Sequence, residues 1–146
     1  MEQPKLKRST AALVWGIIAS AFLFTLASAI LPVVKDFFGE IYREAISAGD
    51  YEAREMFSML FSTLDTLITA FQSMAVINLG LIVLAYFFKI GCTLASIWNV
   101  LLLFSGVFVL ALLPFIFNCI AISRAKKAHV TYRAELKAFQ EFSAQP

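Results

Sequence analysis

Long uncharged stretches alternate along this chain with short charged ones. Residues 9–34, STAALVWGIIASAFLFTLASAILPVV, carry no charge. Residues 66–88 are almost wholly apolar and close on Tyr86-Phe87-Phe88, followed by Lys89. From Ile90 to Ser123 a further 34 residues carry no charge. At 1.5 Å per residue, about 20 apolar residues cross a hydrocarbon layer of about 30 Å. The first two stretches therefore each predict one crossing helix, over 10–33 and 66–88. The third is ambiguous. As one straight helix it would run about 51 Å, and the basic groups beyond it would end on the far side. Ser105-Gly106 is a dipeptide that favours a turn. A hairpin there gives two short crossings, 90–105 and 107–123. The hairpin is the expectation; the alternative is three crossings with a long third helix kinked at Pro114.

Between the first two crossings the period changes. In KDFFGEIYREAISAGD, residues Phe38, Ile41, Tyr42, Ala45 and Ile46 share one helical face, which predicts a short amphipathic helix. Pro32 and Lys35-Asp36 mark the end of the crossing before it. Gly49 suits the end of the amphipathic helix and Asp50 the cap of the next. From Tyr51 the pattern runs as one helix to Phe88, with Met56, Leu60, Leu64 and Leu67 on a stripe. Residues 35–65 thus read as an outer helical segment. Residues 124–146 read as a polar tail that prolongs the last helix. The predicted fold is an all-α membrane protein of one domain. It is a four-helix transmembrane bundle with an extracytoplasmic amphipathic helix between helices 1 and 2.

Composition strengthens the membrane assignment. The chain is 60% apolar and 15% charged, against about 25% charged in soluble domains, and its mean hydropathy is +0.80. Charge then gives orientation. Residues 35–55 hold three basic and six acidic groups, and residues 124–146 hold five basic and two acidic. Lys5, Lys7 and Arg8 make the other terminus basic as well. Basic flanks stay cytoplasmic, so both ends are expected inside and the acidic loop outside. Ala27-Ser28-Ala29 resembles a cleavage site. The apolar run before it is longer than the usual 7–15 residues of a signal peptide, and further crossings follow, so the stretch is read as a crossing. Cys92 and Cys119 show no CxxC spacing and read as small packing residues.

The inventory for catalysis is thin. The one histidine, His129, falls in the polar tail and reads as a surface residue. No set of metal ligands, phosphate loop or nucleophile motif can be assembled. No enzymatic activity, cofactor or metal is expected, and no nucleic-acid partner. The polar residues of the apolar stretches carry more information. Asp65, Thr69 and Gln72 lie on one helical face near the outer mouth of the second crossing, where they could line a hydrated vestibule. Asn78, Asn99 and Asn118 lie one in each later crossing, where an amide seeks a partner across a helix interface. Counted from the nearest charged ends, Asn78 and Asn99 lie at similar depth and are expected to meet. Ala12, Gly16 and Ser20 form a small-residue row, Ala21, Thr25 and Ala29 a second, and Gly91 with Ala95 repeats the spacing. Such rows let helices approach closely.

KLKRSTAALVWGIIASAF resembles the start of a family of small bacterial four-helix membrane proteins of unknown function. FFKIGCTLASIWNVLLLF and LLPFIFNCIAISRAKK resemble its last two helices. The resemblance implies four helices in a bacterial plasma membrane with both ends inside, and no reaction. Together these readings lead us to expect a non-enzymatic subunit of accessory, regulatory or immunity type. It would act through helix–helix contact with another membrane protein or a second copy, in a lipid bilayer. The alternative is a homo-oligomeric channel or small transporter with its polar lining near Asp65.

Overall fold

The computed structural model describes residues 3–49, 51–104 and 108–143. Among them the regular elements are all helical. They are α1 (Thr10–Thr25), a π-helical turn (Leu26–Ile30), α2 (Leu31–Ser47), α3 (Tyr51–Phe87), α4 (Lys89–Leu103) and α5 (Phe108–Ser143). Two helices are long and apolar enough to cross a membrane, Thr10–Ser47 and Glu52–Phe87, and α4 is a shorter apolar helix.

The first of these runs past Pro32, the expected end of the first crossing. The helix does not stop there; it runs for 38 residues in all, through the π turn into α2. Proline breaks an α-helix because it lacks an N–H and crowds the carbonyl one turn back. Here the preceding turn is widened, with the Leu31 N–H donating to the Leu26 carbonyl five residues back. Pro32 then falls at the start of the segment that follows, where a missing N–H is tolerated.

The residues fall into two compact units, Met1–Ser20 with Ile77–Pro146, and Ala21–Val76. In the first, four helices pack together: the start of α1, the end of α3, α4 and α5. Small side chains make the close approach possible. Ala12, Ala85, Cys92, Ala95, Ala121 and Ala125 form a cluster with Ile82 and Ile122. Trp15 stacks on Phe117 with ring centroids 5.4 Å apart. Gly16 lies so close to Ile82 that an added Cβ would overlap that side chain. Only Phe88 separates α3 from α4, and its extended backbone (φ −131°, ψ 139°) reverses the chain.

α4 and α5 lie side by side and antiparallel. Asn99 of α4 reaches Phe115 and Cys119 of α5, and Ser96, one turn earlier, shares a groove with Ile122, Ser123 and Lys126. This sets aside the single kinked third helix. Ser105-Gly106, the expected turn, lies outside the described residues. α5 runs through a buried Pro114 and on past Arg124 without a break to Ser143.

The second unit pairs the end of α1, the π turn and α2 with the first part of α3. The pairing is antiparallel, as three contacts along it show. Gln72 Nε2 lies 3.5 Å from Ser28 Oγ, Lys35 Nζ bonds Asp65 Oδ1 at 2.6 Å, and Tyr42 packs on Phe57 and Phe61. Leu23, Leu26, Ala27, Leu64 and Phe71 are buried between. Of the amphipathic face expected on 35–50, Phe38 and Tyr42 meet α3, whereas Ile41 and Ile46 stay exposed. Gly49, at φ +81°, follows α2, a left-handed conformation that suits the residue ending a helix. Asp50 lies outside the described residues.

Candidate functional site

Each helix of the first unit brings a polar residue to its interior: Ser20 from α1, Asn78 from α3, Asn99 from α4, and Asn118 and His129 from α5, all buried. Asn78 and Asn118 form a reciprocal amide pair. Asn118 Nδ2 donates to Asn78 Oδ1 at 2.7 Å, and Asn78 Nδ2 donates to Asn118 Oδ1 at 3.2 Å. Asn78 Nδ2 also donates to Ser20 Oγ at 2.9 Å, and Ser20 passes its own hydrogen to the Gly16 carbonyl at 3.0 Å. Asn99 sits against the same turn of α5, donating to the Phe115 carbonyl at 3.3 Å and meeting Cys119 Sγ at 3.2 Å. Its Oδ1 and Trp98 Nε1 are buried without a polar partner among the described residues.

Asn78 therefore takes Asn118, not Asn99, as its partner. Counting residues from the first charge of α5, Arg124, does not foretell this pairing. The helix stays packed well beyond that point. His129, expected at the surface, is buried, and its Nε2 faces the Ala85 carbonyl at 3.1 Å. That carbonyl belongs to the last turn of α3, whose final acceptors have no partner within the helix. Facing an acceptor, the Nε2 atom must carry hydrogen and donate. Cys92 Sγ turns to the same oxygen at 3.6 Å. So α5 and α4 together cap α3. The sequence signal is the spacing from Asn118 to Ala121, Ile122, Ala125 and His129, which lie three, four, seven and eleven residues beyond it and so prolong one helical face past the charge. His129→Ala is expected to lower the unfolding free energy by about 1–3 kcal/mol, the cost of an orphaned buried acceptor. His129→Gln, which keeps a donor, should lose less. Reversible unfolding in mild detergent measures both, and unchanged stability in His129→Ala would show that the carbonyl does not need the imidazole.

The small-residue rows divide. Ala12, Gly16, Ser20, Gly91 and Ala95 are buried within the first unit. Ala21, Thr25 and Ala29, in the second unit, face outwards and are exposed. So is a row of hydroxyls on α3, comprising Ser62, Thr66, Thr69 and Ser73, which with Asp65 and Ala70 lines an open groove of about 760 Å³. Three of these hydroxyls are satisfied within the helix. Thr66 donates to the Ser62 carbonyl, Thr69 to that of Asp65 and Ser73 to that of Thr69, at 2.9–3.0 Å. The polar residues expected to line a channel divide between the two units. Asp65 and Thr69 share the groove, Gln72 turns towards Ser28, and Asn78 and Asn99 are buried in the other unit.

The class defined by these elements is an all-α helical bundle with two helices able to cross a membrane. No protein-family model, curated protein or solved structure matches this chain.

Proposed function

We propose that this is a polytopic membrane protein without enzymatic activity, which works by binding a transmembrane helix of another membrane protein. The membrane part of the reading rests on an inverted distribution of polarity. In the first unit the amides lie inside, while Val14, Ile17, Ile90, Ile97, Leu101 and Ile116 lie outside. Water would penalise that arrangement and hydrocarbon favours it. Four crossings with both ends cytoplasmic agree with it, since Lys7 and Ser9 share a pocket with Arg124 and Lys127 and all these basic groups then lie on one side.

The observation that carries the partner is the pair of uncovered rows in the second unit. The first unit covers its small-residue row with Ile82; the second leaves Ala21, Thr25 and Ala29, and the α3 hydroxyls, facing outwards. Small and hydroxyl-bearing rows let another helix approach closely. Because three of the four α3 hydroxyls are already satisfied within the helix, the free protein tolerates the exposure.

Thr25→Leu and Thr69→Leu fill those rows without touching the interior. Each is expected to abolish co-purification of a stoichiometric membrane partner from the native host in mild detergent, while the protein itself stays folded. Isolation of the unaltered protein alone, repeatedly, would count against the reading. Asp65 in the α3 groove favours one competitor, a homo-oligomeric channel. That reading requires self-association sensitive to Thr69→Leu and a conductance lowered by Asp65→Ala.

A further inference from the structure

We infer that the first unit holds a binding site for a phosphate group, in the pocket between the residues preceding α1 and the face of α5 beyond Arg124. The pocket has a volume of about 260 Å³ and is lined by three cations, Lys7, Arg124 and Lys127, by the hydroxyl-bearing Ser9, Thr131 and Tyr132, and by Glu135. Among the described residues the only ion pair is Lys35–Asp65, so none of the three cations is neutralised by a carboxylate. Glu135 is within the lining yet pairs with none of them. Three like charges brought together from two segments, against one acid, repel one another until an anion enters.

The hydroxyls suit the same ligand. Ser9 Oγ accepts the Ala12 N–H at 3.3 Å, which leaves its own hydrogen free to donate. A guanidinium, two ammonium groups and a hydroxyl are the donors that recognise phosphate oxygens: the fork of Arg124 engages two at once, and the lysines act as point charges. Arg8, next in sequence, is committed elsewhere. Its guanidinium lies over the Phe87 ring, 4.4 Å from the centroid. This contact holds the segment against the end of α3 and fixes Lys7 beside α5.

The phosphate has two sources, an anionic lipid headgroup or the free ion. The first rests on the membrane reading above; the second does not. The test uses the full chain in mild detergent and follows its thermal midpoint. Dihexanoyl phosphatidylglycerol and inorganic phosphate are added separately, with dihexanoyl phosphatidylcholine as the zwitterionic control. Saturating dihexanoyl phosphatidylglycerol or inorganic phosphate should raise the midpoint by a few degrees; an equal rise with dihexanoyl phosphatidylcholine would overturn recognition of the anion. Lys127→Gln or Arg124→Gln should each raise the half-saturating concentration about fivefold, the effect of one cation near an anionic headgroup. Lys137→Gln, which removes the same charge elsewhere on the tail, should not. A response to phosphatidylglycerol alone assigns the headgroup; a response to inorganic phosphate assigns the free ion. No response to either overturns the site, as does an equal loss in Lys127→Gln and Lys137→Gln. Failure of the membrane reading would show separately, as protein recovered from aqueous extracts without detergent.

Discussion

Gly91→Ala is expected to unfold or severely destabilise the first unit, although alanine is the better helix former by about 1 kcal/mol. The reason is the tightness of the α3–α4 reversal. Phe88 alone links the two helices. Its N–H still bonds the Leu84 carbonyl at 2.8 Å, and the Gly91 N–H bonds the Phe88 carbonyl at 3.1 Å. Gly91 is thereby pressed on the last turns of α3. A Cβ placed there would overlap main-chain atoms of Leu84 and Ala85. Main chain cannot rotate aside as a side chain can, so α4 would have to swing away. That would part Cys92 and Ala95 from Ala121, Ile122 and Ala125. Overpacking typically costs 1–3 kcal/mol, and about 3 kcal/mol or more is expected here, read by reversible unfolding in mild detergent.

Gly16→Ala is the informative contrast. There the obstacle is the Ile82 side chain, including Cγ1 at 2.8 Å from the added carbon. Ile82→Ala should therefore recover part of the loss at position 16, whereas truncating side chains around Gly91 should recover nothing. A Gly91→Ala protein as stable as the parent would overturn the close approach itself.

The second large effect is expected at the amide pair. Asn78→Leu removes one partner and leaves the Asn118 amide buried with its hydrogen bonds unmade. Asn118→Leu does the reverse. Each change alone should cost about 1–3 kcal/mol. The double variant should cost less than the two added, because it leaves no orphan from the pair. A double-mutant cycle measures that coupling, expected at about 0.6–1.7 kcal/mol, the span found for hydrogen bonds between helices in membranes. Strict additivity would mean that the two amides do not stabilise each other. Ser20→Ala should be milder, since Asn78 keeps Asn118.

Much of the helical layout was legible because charge interrupts it so rarely. The helix read from Tyr51 to Phe88 is α3 within one residue, since nothing between those ends breaks the pattern. Lys89 marked the reversal, and the small-residue row at Ala12, Gly16 and Ser20 did become a packed face. What misled was the treatment of single residues as boundaries. Pro32 looked like a stop because sequence does not show that the turn before it widens to receive it. Arg124 ends the apolar run, yet one face of α5 stays packed beyond it, which buries His129 as well as Asn118. Charge marks where a helix can meet water on one side; it does not say that the other side has ceased to be covered. The outward-facing rows carry the same lesson in reverse. Ala12 and Ala29 belong to the same kind of pattern, and spacing alone could not tell which row the chain would cover for itself.

The π turn at Leu26–Ile30 acts as a phase correction. A residue advances an α-helix by about 100°, so one residue taken into a widened turn rotates everything after it by about that angle. The faces of α1 and α2 are therefore set independently, although their backbone is continuous. Deleting one residue from Leu26–Ile30 would draw the turn back to a regular one and set Pro32 against the carbonyl one turn before it. The widened turn thus receives the proline while keeping all 17 residues of α2 aimed so that Lys35 meets Asp65 and Tyr42 meets Phe57 and Phe61.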